Sequence, residues 1–341
     1  MLLAAGALLI GCRPEFDTLE EACQDSVPGS SKAPEAAMEA VGRGNCYRRL
    51  AGLAPARVDD QYSAAERAHA RYAENNGLSG GVEDSTRPGF TGELAWNRLE
   101  AQGYDLPEDF ESGYHFWTLE VPSVGQPSTE IDAWMGHWLT RQVLLQPGVV
   151  DSGYGRSGGI TAYGNLSEFP SNDRVDQPVV YPKDGQVDVP YSVVNGFASE
   201  IIDENAVVGY PITITVSSAE LGSDPQDSNP YSLVLLDQQI LDEQDRLVPV
   251  YEIQPETTPQ PFPYTVALVP EEPLEPNTTY RVFARVSWVD GIKNVEATFT
   301  TGSEGAVETP EGLDAESARR AAFQRGLVIQ RHWVNGPQQA R

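Results

Sequence analysis

The sequence predicts two regions of different class. Residues 35–170 read as α+β, or as a layered α/β/α sandwich, and residues 179–302 as an all-β sandwich. Three observations predict this. Residues 63–77 carry a helix start, a helical face and a helix stop in that order. Residues 148–166 alternate with glycines, as short strands do. Beyond a linker at 171–178, helical periodicity disappears and short strand-like runs separated by turn residues take over. A chain of 341 residues has room for two or three such domains.

In chain order, residues 2–10 are almost wholly apolar and are followed by Gly11-Cys12. The run falls short of the ~20 apolar residues a spanning helix needs. It has the length of a signal-peptide core, which assigns residues 1–11 to a signal peptide. Leu9-Ile10-Gly11-Cys12 resembles a bacterial lipobox, and the resemblance implies cleavage before Cys12 and lipidation of Cys12. Two or more acyl chains hold a membrane stably where one is marginal. The residue after Cys12 is Arg13, not Asp, and by resemblance to sorted lipoproteins this favours the outer membrane or cell surface. Residues 12–34, with Pro14, Pro28, Gly29 and Pro34, read as a tether. Cys23 and Cys46 can form a disulfide in an exported chain, with two free or buried thiols as the alternative.

Pro34 can open a helix running over 35–53. Ser63-Ala64-Ala65-Glu66 has the capping-box pattern, and Ala65, Ala68, His69 and Tyr72 then share a face. Asn76-Gly77 stops that helix. Further helices are expected over 93–102, ended by Gly103, and over 130–145, with a loop at 105–129 between them. In the second region the runs 212–216, 231–236, 264–269, 280–288 and 295–299 read as strands. Pro276-Asn277-Thr278-Thr279-Tyr280 and the ending at 297–301 resemble the tyrosine-bearing turn and last strand of immunoglobulin-like domains. The tail, 303–341, is separate. It has a helical candidate at 315–330 carrying Arg319, Arg320 and Arg325, and reads as a docked or disordered terminus rather than a partner- or membrane-touching one.

The net charge of −27 argues against nucleic-acid partners and against anionic membrane surfaces. The glycine-rich stretch 153–159 lacks the Lys-Ser/Thr of a phosphate loop. Ser152 and Ser157 lack a nucleophile-elbow context. Trp96, Trp117, Trp134 and Trp138 could line a lipid or carbohydrate groove but weigh more as core. There is no CxxC and no Cys/His zinc spacing. The sequons at Asn165 and Asn277 carry little weight in a bacterial lipoprotein.

A series of short matches in order resembles the CAP superfamily in its bacterial SCP-like form. They are Asn45 with Arg48 and Gly52-Leu53; His69 and Tyr72; Pro88-Gly89-Phe90-Thr91-Gly92 with Arg98 and Gly103-Tyr104; and Trp134-Met135, Arg141 and Gly153-Tyr154-Gly155. The resemblance covers roughly residues 35–168 and implies an α/β/α sandwich, with an immunoglobulin-like domain often following. It also implies a shallow cleft with two histidines and two acidic residues. Such a set can hold Zn²⁺ with an open position for water. Here Gly81 stands where the first histidine is expected and Thr140 where the second is expected, while Glu83 remains. Glu111 is the best match to the central acid, with Glu120 as an alternative. A rearranged cleft would draw on Glu83, Glu111, His115 and His137. The competing and favoured reading packs His137 between Trp134 and Trp138 or on a helix surface, makes His69 a hydrogen-bonded core residue and leaves His332 solvated. The expectation is therefore a non-catalytic binder of a lipid, glycan or protein ligand, with Zn²⁺ disfavoured. The alternatives are a metal-dependent hydrolase and a structural envelope spacer.

Overall fold

The structure, a computed structural model, describes residues 16–23, 27–77, 81–108, 114–168, 178–195, 201–203, 206–216, 233–254, 265–288, 291–305 and 328–332. Cys12, the signal peptide, Glu111, linker residues 171–177 and tail residues 306–327 lie outside them, as do the side chains of His115 and His332.

The first half is a three-layer arrangement around a five-stranded sheet. Its strands are β1 (Arg57–Val58), β2 (Tyr114–Pro122), β3 (Val149–Ser157), β4 (Ile160–Glu168) and β15 (Val328–His332), in the order β1-β3-β4-β2-β15. β1 runs parallel to β3, and the other pairs are antiparallel. Side chains alternate across a strand, and here both faces are covered. Phe116, Ala162 and Leu166 pack under helices α3 (Asp60–Asn76) and α4 (Ala95–Ala101). Trp117, Leu119, Val121 and Tyr163 pack under α2 (Glu35–Leu50), α5 (Pro127–Gly136) and α6 (Trp138–Leu144). Close approach of α3 to the sheet depends on glycine. A Cβ at Gly153 would lie 2.6 Å from Tyr62 C, and one at Gly155 would run into Arg67 N.

Several helix boundaries differ from the sequence reading. α3 starts one turn earlier than the Ser63 capping box, because Asp59 caps it by accepting from Gln61 N (2.9 Å) and Tyr62 N (2.8 Å). Ser63 sits inside the helix and donates to Asp59 O, four residues back. The single helix expected over 130–145 is two helices, broken at His137, whose backbone is extended. Carbonyls freed by the break are taken by other groups. Thr140 Oγ1 donates to Trp134 O (2.5 Å), while Arg141 Nε (2.7 Å) and Tyr210 Oη (3.2 Å) donate to Met135 O.

The segment read as a tether is partly packed. A short helix α1 (Leu19–Ala22) buries Ala22, Gly29 bridges to Val58, and Val187 N donates to Asp17 O. The Cys23–Cys46 disulfide ties this segment to α2. At the other end, residues 328–332 form β15, not the end of a helix.

The second half is β-rich. β5 (Val179–Tyr181), β6 (Gln186–Val189), β9 (Ile212–Thr215), β10 (Val234–Leu241), β11 (Val250–Ile253), β12 (Thr265–Pro270), β13 (Thr279–Trp288) and β14 (Gly291–Thr301) make two four-stranded sheets, ordered β10-β13-β14-β6 and β11-β12-β9-β5. β7 (Ser192–Val194) and β8 (Val207–Gly209) form a hairpin. Val282, Val286 and Phe299 from one sheet join Ile212, Ile214, Val266 and Leu268 from the other in a core continuous with the α2/α5/α6 layer.

Arg141 stands at the junction of the two halves. It is fully buried, donates to Tyr181 O and Pro211 O, and lies 4.9 Å and 4.7 Å from the Tyr181 and Tyr210 ring centres. Its five donors and flat cation suit carbonyls and ring faces together. Among the described residues, no helix is long and apolar enough to cross a membrane.

Candidate functional site

The charged groups nearest the expected cleft form a closed cluster between α3, α4, β2 and the segment 81–92. Helical spacing puts Glu66 and His69 on the same side of α3, facing the sheet. Alternation along β2 turns Phe116, Thr118 and Glu120 toward α3. α4 supplies Arg98. Glu66, His69, Glu83, Arg98 and Glu120 are each at most 1% exposed.

His69 is the hub of the cluster. Its Nδ1 lies 2.9 Å from Glu83 Oε1, and its Nε2 lies 3.4 Å from Glu120 Oε2, within ion-pair reach but without hydrogen-bond geometry. Glu83 also accepts from Thr91 N (2.6 Å), Thr91 Oγ1 (3.0 Å) and Gly92 N (3.3 Å). Gly81 N donates to Glu120 Oε2 (3.0 Å), and Arg98 Nη1 donates to Gly81 O (2.7 Å). Asp84 N donates to Tyr72 Oη, and the Tyr72 ring stacks on His69. The segment that holds Gly81 and Glu83 is thus fastened to α3 at several points.

Burial works to raise the Glu83 pKa, but its bonds to His69 and Thr91 N, with Arg98 nearby, hold it below the ordinary carboxylate range. Burial and then Arg98 pull the His69 pKa down, yet the flanking Glu120 and Glu83 carry it above the usual imidazole range. Burial raises Glu66 despite Arg98 and His69. The cluster therefore favours an imidazolium at His69 beside an ionised Glu83, while burial disfavours the charged form of Glu66.

The other predicted residues lie elsewhere. Thr140 and His137 belong to the α5/α6 layer, so the sheet stands between them and Glu83. His137 is half-buried at the helix break, where burial and the Arg141 charge push its pKa down to about 4. The backbone of His115 pairs with Ser167 in the sheet. Trp117, Trp134 and Trp138 are buried in the core, and Trp96 packs on Phe116. Across the sheet a second buried acid, Glu130, accepts from Tyr154 Oη (2.7 Å), Thr161 Oγ1 (3.1 Å) and Val124 N (2.7 Å).

These residues do not fit a zinc site. Gly81 and Thr140 offer no imidazole. The Nδ1 of His69 is committed to Glu83, and both Glu83 oxygens already accept hydrogen bonds. Among the described residues, no group of three or more His, Cys, Asp or Glu is arranged to hold a metal ion. The sequence signal for Glu120 was its place as the alternative central acid. Arg98 stood among the resemblance's matches and Glu66 in the capping-box pattern, and neither signal pointed to a place in this cluster.

No protein-family model and no curated protein matches the chain. Among solved structures it is similar to an extracellular protein containing a SCP domain from Bacillus anthracis str. Ames, at 13% identity and a TM-score of 0.30. The match covers 39% of this chain and 40% of that one.

Proposed function

We propose that this chain is an exported, lipid-anchored envelope protein whose CAP-like first domain binds rather than cleaves. Ligand recognition falls to that domain or to the immunoglobulin-like domain after it, and the ligand is a lipid, glycan or protein. One observation carries the non-catalytic reading: the imidazole and carboxylates nearest the expected cleft are sealed and bonded to one another, not presented to solvent. A general base must come within hydrogen-bond reach of a substrate proton, and Glu83 and Glu120 are 1% and 0% exposed. The Cys23–Cys46 disulfide supports an oxidising compartment. The lipobox-like Leu9-Ile10-Gly11-Cys12 supports the anchor, with the outer membrane or cell surface as its place.

The test is zinc content and zinc calorimetry on the folded soluble chain, with ester and peptide hydrolysis assayed alongside, in the parent and in His69→Ala and Glu83→Gln. The expected result is no stoichiometric zinc and no turnover. One-to-one zinc binding with hydrolysis, both lost in the variants, would overturn the reading in favour of a metal-dependent hydrolase. The anchor is tested separately by labelling cells with an alkyne fatty acid, and the label should disappear in Cys12→Ser.

A further inference from the structure

The outer face of the β10-β13-β14 sheet carries an open trough of about 340 Å³ lined by Asp237, Gln239, Phe283, Arg285, Asn294 and Glu296. β13 alternates strictly. Val282, Ala284 and Val286 face the core, so Phe283 and Arg285 face outward. Register places the lining in two rungs. Gln239, Phe283 and Glu296 lie across the sheet in one, and Asp237, Arg285 and Asn294 in the other. A bulge between Leu235 and Asp237 brings Asp237 opposite Arg285.

The charged groups in this trough differ from two pairs close by. Nearby, Arg281 pairs with Asp245 and Arg246 with Asp242. Asp237 and Arg285, directly opposite each other, form no ion pair. Among the described residues, the side chains of Gln239, Asn294 and Glu296 also engage no hydrogen-bond partner. Five polar side chains therefore ring one aromatic ring with their bonding capacity unused.

We infer that this trough binds an uncharged oligosaccharide. The inference rests on the non-catalytic binding reading above and names its ligand class and place. A sugar hydroxyl both donates and accepts. Asp237 and Glu296 accept, Arg285 donates, and Gln239 and Asn294 do both. The apolar C–H face of a pyranose has Phe283 to lie on. A purely apolar ligand would strip water from two carboxylates and a guanidinium and leave them unpaired. An anionic ligand would meet Asp237, Glu296 and a chain of net charge −27. An added peptide strand would pair along the outer edge of β10 and not lie across the face toward which Phe283 and Arg285 point, since β13 is flanked on both sides.

The experiment is affinity electrophoresis of the folded soluble chain through gels containing mannan, xylan, a β-glucan or, as anionic comparator, polygalacturonate. At least one uncharged polymer should retard the parent, with little dependence on salt. Phe283→Ala and Arg285→Ala should each weaken the association by about tenfold or more, with the circular dichroism spectrum unchanged. Should Phe283→Ala misfold, Glu296→Ala and Asp237→Ala, on exposed side chains, provide the same comparison. The inference is overturned by no retardation in any uncharged gel, by retardation in polygalacturonate alone, or by retardation that survives the folded variants. A dimer that dissolves on Phe283→Ala without any sugar binding overturns it in favour of a second copy of the chain. A zinc-dependent hydrolase with no sugar binding would instead sink the broader reading, and the zinc assay separates the two failures.

Discussion

Replacing Glu83 with Ala tests whether the sealed cluster holds the first domain together. Glu83 accepts from four donors: His69 Nδ1, Thr91 N, Thr91 Oγ1 and Gly92 N. Removing one partner of a buried ion pair costs about 3–5 kcal/mol, because the remaining charge stays buried. Orphaning a buried donor costs about 1–3 kcal/mol, which for the two backbone N–H groups gives about 2–6 kcal/mol, a range that brackets the ion-pair figure. Glu83→Gln keeps an acceptor for Thr91 but loses the charged bond to His69, worth about 1.5–3 kcal/mol.

The pH dependence of stability supplies a second readout. Glu83 has a lowered native pKa, so its contribution is complete above the unfolded value of about 4.3 and is lost as pH falls through the native value. His69 has a raised native pKa, so its contribution is complete below about pH 6.5 and is lost as pH rises through the native value. Urea unfolding from pH 3 to 9 should show a stability plateau between these limits, with the alkaline decline shrunken in Glu83→Ala because His69 has lost a raising partner. A loss under about 1 kcal/mol, the ordinary cost of a point substitution, or an unchanged alkaline decline, would refute the reasoning.

Three other outcomes are expected. Arg141→Met should cost about 3 kcal/mol or more, because three carbonyls lose a charged donor and two ring faces a cation. In differential scanning calorimetry it should split one transition into two, and Arg141→Lys should rescue little. Gly155→Ala should destabilise by about 1–3 kcal/mol in thermal melts, since the new Cβ meets α3 backbone at Arg67 that cannot swing aside. Reducing Cys23–Cys46, separated by 23 residues, should cost about 3 kcal/mol by denaturant midpoint.

The layered first half was legible where a segment declares itself locally. The apolar face of Ala65, His69 and Tyr72 and the stop at Gly77 describe α3 well; the runs 280–288 and 295–299 fall inside observed strands, and 212–216, 231–236 and 264–269 overlap them. The start of α3 was misplaced because two capping signals compete four residues apart, and Asp59 wins with two bonds to backbone N–H groups. The break at His137 leaves no local mark. Its freed carbonyls are satisfied by Thr140, Arg141 and, from the second half, Tyr210. Within the cluster, His69 reads from its helix face as a bonded core residue. Its partners come from a turn-rich segment and a distant strand, where no periodicity shows which side chain turns inward. β15 was illegible for the same reason: its partner β2 lies in the first half of the chain.

That last pairing has a consequence for biogenesis. The outer edge of β2 is covered by a strand that leaves the ribosome only after the entire second half has been made. While the chain is emerging, β2 presents a row of unmatched N–H and C=O groups, a template for association with other nascent chains. A nonsense mutation between β14 and β15 would spare both hydrophobic layers of the first half, yet it would leave that template permanently open. Such a product would be prone to aggregate while its first-half core remained intact.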